Sequence, residues 1–245
     1  MPGSLDVLAT AEEVADALAG RIIAHLAIRL TGQSEVHVAL TGGTIATAAY
    51  ERLAAHDTSA IDWSRVHLWW GDERFVPLGD PDRNDEQARV ALGPLWEHAV
   101  RHQAPAPSPG ADPAGPELDA AATAYAQQLG DRHLDLCLLG AGPDGHVASL
   151  FPRHPSLTAP GQVIAVRDSP KPPPERVSFS LPVINRSRQV WLTVVGAEKA
   201  PVVAAAHGRP VDPALGDGPL PCTRVTGTER TEWLVDRAAA QALTD

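Results

Sequence analysis

Between Leu134 and Pro152 the chain reads LDLCLLGAGPDGHVASLFP. An apolar run of strand length, Leu134 to Leu139, stops at Gly140, Gly142 and Gly145, and Asp144 and His146 follow within a few residues. Few architectures tolerate such a stretch. A run that is apolar at every position but Asp135 is buried on both faces, which is the condition of a parallel strand covered by helices. Glycines at its end let the backbone turn where a Cβ would clash, and polar groups then collect beyond the carboxyl edge of the sheet. The same letters spell G-x-G-x-x-G, so the turn also has a second meaning, the start of a dinucleotide site.

The rest of the chain repeats this grammar. Thr10 to Leu30 has apolar residues at helical spacing behind a Thr in N-cap position and acids in the first turn, which predicts an amphipathic helix. Val36 to Leu40 (VHVAL) is a strand candidate that runs into Thr41-Gly42-Gly43-Thr44 and a helical pattern, IATAAYERLAAH. Strand, Gly-Gly-Thr and helix in that order is an anion-binding arrangement, because free amides and a hydroxyl converge where glycine lets a phosphate approach; it is equally the text of a plain tight turn. Val66 to Trp70 (VHLWW) is a second buried strand, and it ends in Gly71-Asp72-Glu73-Arg74-Phe75-Val76-Pro77, charges placed either at the ligand edge or in a solvated loop. Helices are expected over Asn84 to Trp96 and Leu118 to Leu129, with a Pro- and Ala-rich surface connection at His102 to Pro116 between them. Further strands are expected at Gln162 to Val166, Arg176 to Leu181, Gln189 to Val195 and Thr231 to Val235, with a helix from Glu198 to His207 that carries Lys199 in its first turn. Strands alternating with helices predict one α/β domain over residues 1–245, an open and mainly parallel sheet covered on both faces.

Composition narrows the function. A net charge of -10 argues against nucleic acid or an anionic membrane as partner. No apolar run reaches the roughly 20 residues of a membrane span, and the acidic N-terminal segment does not resemble an export signal, so a cytoplasmic location is expected. Cys137 and Cys222 give neither a disulfide framework nor a metal cluster, and no His, Cys or acid spacing points to a metal. A small anionic substrate stays compatible if cations are concentrated locally. Of the 20 basic residues only Lys171 and Lys199 are lysine, and a lysine kept in so arginine-rich a chain hints that a compact ammonium charge is wanted there.

The two meanings of the glycine turn separate on the residues after it. A dinucleotide site needs a helix after the third glycine and an acid about 20 residues on, a distance Asp168 satisfies. Pro152 and Pro155 leave no room for that helix, and two strand-turn-helix units precede this one, whereas the fingerprint belongs to the first. What remains is a histidine and an aspartate on a short turn at a strand end. Imidazole is the side chain best suited to move protons near neutral pH, and an adjacent carboxylate orients it. Most of the other nine histidines, such as His25, His56 and His98, lie in helical patterns and need only packing or exposure to explain them.

Five segments in order, Thr41 to Thr44, Gly71 to Pro77, Leu139 to Pro152, Pro173 to Ser178 and Gly196 to Ala200, resemble those of the 6-phosphogluconolactonases of the glucosamine-6-phosphate isomerase/6-phosphogluconolactonase family. The resemblance covers nearly the whole chain. It implies a Rossmann-like three-layer α/β/α sandwich of the sugar-phosphate isomerase/deaminase kind. The implied activity is hydrolysis of 6-phospho-D-glucono-1,5-lactone to 6-phospho-D-gluconate in the oxidative pentose phosphate pathway, with no cofactor; the chain itself is compatible with a monomer. Carried over by residue, His146 is the implied general base with Asp144 shaping the site and Arg74 a substrate-contacting cation. Gly42, Gly43, Thr44, Arg176 and Lys199 are the implied phosphate cradle. Ile45-Ala46 stands where the family usually has Thr-Pro, and Arg83 where it commonly has serine. A deaminase of the same family would read Asp-Glu-Tyr in the second segment and Asn-Glu-Pro in the third; Arg74 and Ser149-Leu150-Phe151-Pro152 stand here instead. A non-catalytic sugar-phosphate sensor is the rival of another class, and for it the chain shows no appended DNA-binding segment.

Overall fold

Thr10 starts the first long helix as its spacing predicts. Its Oγ1 accepts the Glu13 amide at 3.2 Å while the Glu13 carboxylate accepts the Ala9 amide at 2.9 Å, so two groups orphaned at the helix start are satisfied together. The computed structural model describes residues 3–216 and 218–243. Their elements run β1 (Ser4–Leu8), α1 (Ala11–Gly32), β2 (Val36–Leu40), α2 (Thr44–Ala55), β3 (Val66–Trp70), β4 (Asp72–Arg74), α3 (Asn84–Leu92), α4 (Pro94–His98) and β5 (Val100–Arg101). They continue α5 (Pro116–Leu129), β6 (Leu136–Gly140), β7 (Val163–Val166), β8 (Arg176–Phe179), α6 (Leu181–Asn185), β9 (Gln189–Val194), α7 (Ala200–Ala206), β10 (Arg230–Asp236) and α8 (Arg237–Ala240).

Seven strands form one sheet in the order β1-β10-β9-β6-β2-β3-β5, and every pairing in it is parallel. Because side chains alternate across a strand, neighbouring residues enter different cores. Val38, Leu40, Leu136 and Leu138 pack with Leu18 and Leu26 of α1, Tyr50 of α2 and Leu92 of α3. Ala39, Cys137 and Leu139 point the other way, to Leu118 and Tyr125 of α5 and Val202 and Val203 of α7. Two cores flanking one sheet make the three-layer sandwich.

Strand order fixes where a ligand can sit. After β2 the chain crosses to β3 on one side; β6 lies on the other side of β2 and its chain moves on to β9. The loops leaving β2 and β6 therefore part company, and the crevice between their carboxyl ends is the switch point at which open α/β sheets bind ligands.

Some boundaries differ from expectation. The helix expected over Asn84 to Trp96 breaks at Gly93, whose φ of 51° ends α3 and starts α4. The helix expected from Glu198 is a 3-10 turn over Ala197–Lys199 that passes into α7. Arg176 to Leu181 is a strand only as far as Phe179, after which Pro182 lies in the first turn of α6. Three short strands were not expected. β1 and β5 extend the main sheet, and β4 joins β8 and β7 in a separate antiparallel sheet, order β4-β8-β7, beside the crevice. No α-helix follows the glycine turn before β7, as Pro152 and Pro155 require. Among the described residues no helix is long and apolar enough to cross a membrane.

Candidate active site

The turn after β6 is shaped around one pair of side chains. Asp144 Oδ1 lies 2.5 Å from His146 Nδ1 and also accepts the His146 amide at 3.3 Å. A Cβ on Gly142 would stand 2.1 Å from His146 Cε1 and 2.2 Å from Nδ1, so the middle glycine leaves the space the pair occupies. The ring also leans on Phe151, at 4.8 Å between centroids. Because the carboxylate takes the proton on Nδ1, the lone pair of the neutral ring lies on Nε2, which makes no hydrogen bond among the described residues. Burial acts to raise the Asp144 pKa, but hydrogen bonds from the His146 ring and amide outweigh it and hold the carboxyl below its ordinary value.

His146 opens into a cleft of about 310 Å³ at the switch point. From β2 it is lined by Thr41, Gly42, Gly43 and Thr44, from β4 by Asp72 and Arg74, and from β8 by Arg176. Lys199 and Lys171 complete its cations. Every residue expected in the site lines this cleft except Asp144, which sits behind His146.

The β2 loop is held from behind. The Tyr50 hydroxyl donates to the Thr41 carbonyl at 2.9 Å and accepts the Thr41 amide at 3.1 Å. Asn84 packs against Gly42 so closely that a Cβ there would meet its Oδ1 at 1.9 Å. Gly43 caps α2 without a side-chain hydrogen bond, so the first amides of a 12-residue helix are left facing the cleft beside Thr44, an arrangement suited to a phosphate.

Cations are crowded at the other wall. Arg74 and Arg176 are direct partners across the antiparallel pair β4 and β8, an arrangement of like charges that is unfavourable without an anion. Arg176 is only 4 % exposed. Burial lowers its pKa, Asp72 opposes this with Nη1 to Oδ2 at 3.8 Å, and Arg74 adds to the lowering. Asp72 is itself oriented by the Ser149 hydroxyl at 2.7 Å, and Asn84 Nδ2 donates to the Asp72 carbonyl at 2.8 Å.

The middle of the second segment is structural. Glu73 accepts the amides of Arg74, Asn84 and Asp85 at 2.6 to 2.8 Å and so caps α3 from below. Burial and the neighbouring Asp85 push its pKa up, while Arg83 and those amides pull it back. Arg83, the departure from the family's serine, is wholly buried and grips Asp85 with two hydrogen bonds of 2.7 and 2.8 Å.

Sequence reasoning did not place Lys171, Asp72, Asn84 or Ser149 in the site. Lysine scarcity was the available signal for Lys171, and both lysines of the chain line the cleft. A second cluster lies at the amino-terminal end of β2 and β3, away from the cleft, where Glu35, His37 and His67 bring ligand atoms within 4.8 Å of one another. Trp69 Nε1 donates to His37 Nδ1 at 3.0 Å, which puts the His37 proton on Nε2, 3.1 Å from Glu35. That tautomer has no lone pair for a metal at Nε2, so the cluster is a hydrogen-bonded network rather than a ligand set.

The chain is thus one of the doubly wound α/β proteins, with a cation-lined crevice and a His-Asp pair at the switch point. Comparison with known proteins refines that class. Residues 9–233 match the family model described as glucosamine-6-phosphate isomerases/6-phosphogluconolactonase. The 6-phosphogluconolactonase of Streptomyces coelicolor is 43% identical over 95% of this chain and 91% of its own length, and that of Mycobacterium tuberculosis is 40% identical over 99% of both. Among solved structures, 6-phosphogluconolactonase from Trypanosoma brucei superposes with a TM-score of 0.83 at 25% identity over 98% of each chain. The Thermotoga maritima 6-phosphogluconolactonase gives 0.75 at 28% identity, over 95% of this chain and 99% of that one. The chain belongs to the glucosamine-6-phosphate isomerase/6-phosphogluconolactonase family.

Proposed function

We propose that this protein hydrolyses 6-phospho-D-glucono-1,5-lactone to 6-phospho-D-gluconate, the lactonase step of the oxidative pentose phosphate pathway, with His146 as general base. The observation that carries the reading is the His146 ring in the cleft with Asp144 bonded to Nδ1, which leaves Nε2 as the basic nitrogen. The names of the relatives and the sugar-phosphate chemistry of the family point to the same substrate.

A δ-lactone is an activated ester, so catalysis needs a positioned water, a base and donors for the developing oxyanion, with no covalent nucleophile. Nε2 of His146 takes a proton from water as the water oxygen bonds to C1 and the carbonyl becomes an oxyanion. Collapse of that intermediate breaks the bond from C1 to the ring oxygen, and the departing alkoxide takes the proton back from His146. Atoms and charge balance within this cycle. Arg74, a cation of the cleft wall, is assigned to the substrate, and Gly42, Gly43, Thr44, Arg176 and Lys199 to its phosphate. A phosphate held at the far end fixes C1 against the water, which turns binding energy into orientation.

Deamination of an amino sugar phosphate is less well supported. Where the deaminase pattern has its glutamate the chain has Leu150-Phe151, both buried, and Ser149 before them is committed to Asp72. An assay offering both substrates tests the choice: lactone hydrolysis above the spontaneous rate without ammonia release is expected, and the reverse would overturn it.

A further inference from the structure

The connection from β7 to β8 contains Pro170, Lys171, Pro172, Pro173 and Pro174. Prolines offer no amide hydrogen and hold φ nearly fixed, so this segment cannot be tied down by a ladder and its carbonyls need partners from elsewhere. They have them. Ser169 Oγ donates to the Lys171 carbonyl at 3.0 Å and the Ser169 amide to the Pro174 carbonyl at 3.1 Å. Arg176 supplies the rest: Nη2 reaches the Lys171 and Pro172 carbonyls at 2.9 and 3.2 Å, and Nε the Pro173 carbonyl at 3.1 Å. Much of the Arg176 guanidinium is thus spent on a strap, and the single charged side chain of that strap, Lys171, lines the cleft with His146, Arg74, Arg176 and Lys199.

We propose that Lys171 is a substrate-binding cation that holds the phosphate end of the lactone, and that Arg176, besides facing the cleft, is the positioning residue that fixes the strap presenting it. The inference rests on the substrate reading above. Position and charge favour the phosphate over the reacting carbonyl. The lactone carbonyl is uncharged in the ground state, whereas Lys171 shares a small cleft with three further cations whose mutual repulsion an anion relieves. Burial holds the Lys171 ammonium below its ordinary pKa; Asp144 opposes this, and Arg176, Lys199 and Arg74 reinforce it. A proline-stiffened strap has little freedom left to lose, so the ammonium is offered at small entropic cost.

The test compares wild type, Lys171→Met and Lys171→Gln on 6-phosphogluconolactone and on unphosphorylated glucono-1,5-lactone, with inorganic phosphate as competitor and melting temperature as the check on folding. Loss of a charge-assisted hydrogen bond predicts that the preference for the phosphorylated lactone, the ratio of the two kcat/KM values, falls by about 10- to 100-fold in both variants, mainly through KM, and that phosphate competes more weakly. An unchanged preference, or equal losses on both lactones, would overturn the proposal for Lys171 alone. A wild type that does not prefer the phosphorylated lactone would overturn the substrate reading, and this inference with it. Should the Met variant fail to fold, the Gln variant decides.

Discussion

His146 and Asp144 act as one unit, and each has its own signature. Replacing His146 by Ala removes the proposed base, and kcat is expected to fall by about 10²- to 10⁴-fold with little change in melting temperature, since the ring sits on a turn at the cleft and not in either core. Asp144→Asn weakens the lock on the ring's tautomer, and a loss on the order of 10- to 100-fold is expected, by analogy with removal of the carboxylate behind a metal-bound histidine. Burial acts to raise the Asp144 pKa, but its hydrogen bonds from His146 hold it below the ordinary value, so the carboxylate that orients the ring persists further into acid than a free one. Asp144 and His146 were legible in the sequence because a strand end, glycines and two prolines confine them to one short turn. Asp72, Asn84 and Ser149 were not, because their roles arise where β4, α3 and the glycine turn meet, and no local spacing records that meeting.

The glycine turn and the second segment are elements that position the site, and each can be broken without touching substrate. Gly142→Ala drives a methyl into the imidazole and Oδ1 of Asp144, so kcat is expected to collapse while the melting temperature changes little. Normal turnover in that variant would contradict the geometry of the pair. Arg83→Ser restores the family's usual residue but leaves Asp85 and Glu73 buried without their cation, and a loss of about 3–5 kcal/mol in stability is expected by denaturant melting. Long, periodic elements such as α1, α2 and α5 were readable from spacing alone, with ends shifted by a few residues. β4 was read as a charged strand end or loop because its three residues are all polar, and its strand character comes from pairing with β8. β1 was missed because most of its residues are exposed or half-buried at the sheet edge, which leaves no apolar run to detect.

At the scale of the whole molecule, an acidic chain concentrates its cations locally, as the proposed binding of a phosphorylated substrate requires. Arg74, Lys171, Arg176 and Lys199 converge from separate segments at the switch point of a sheet buried on both sides. Histidines elsewhere set the stability of that frame. Burial depresses His25 and His102 to about 4, and His102 stacks on Trp69 at 3.9 Å. In the unfolded chain these rings protonate near 6.5, so the folded state is fully favoured above that value and loses stability as pH falls from about 6.5 to 4. His102→Phe keeps the stack and removes one titration, and its melting temperature is expected to vary less over that window than that of wild type. The parallel sheet and its layers were legible because buried strands alternated with helices; the strand order and the antiparallel sheet were not, since pairing partners lie far apart in sequence. Whether His146 activates water against a phosphorylated lactone is read most directly from the hydrolysis of freshly generated 6-phosphogluconolactone by wild type and His146→Asn beside the spontaneous reaction. Strong acceleration by wild type and near loss of it in the variant are expected, with 6-phosphogluconate still bound. Wild-type turnover in His146→Asn would contradict that role for His146.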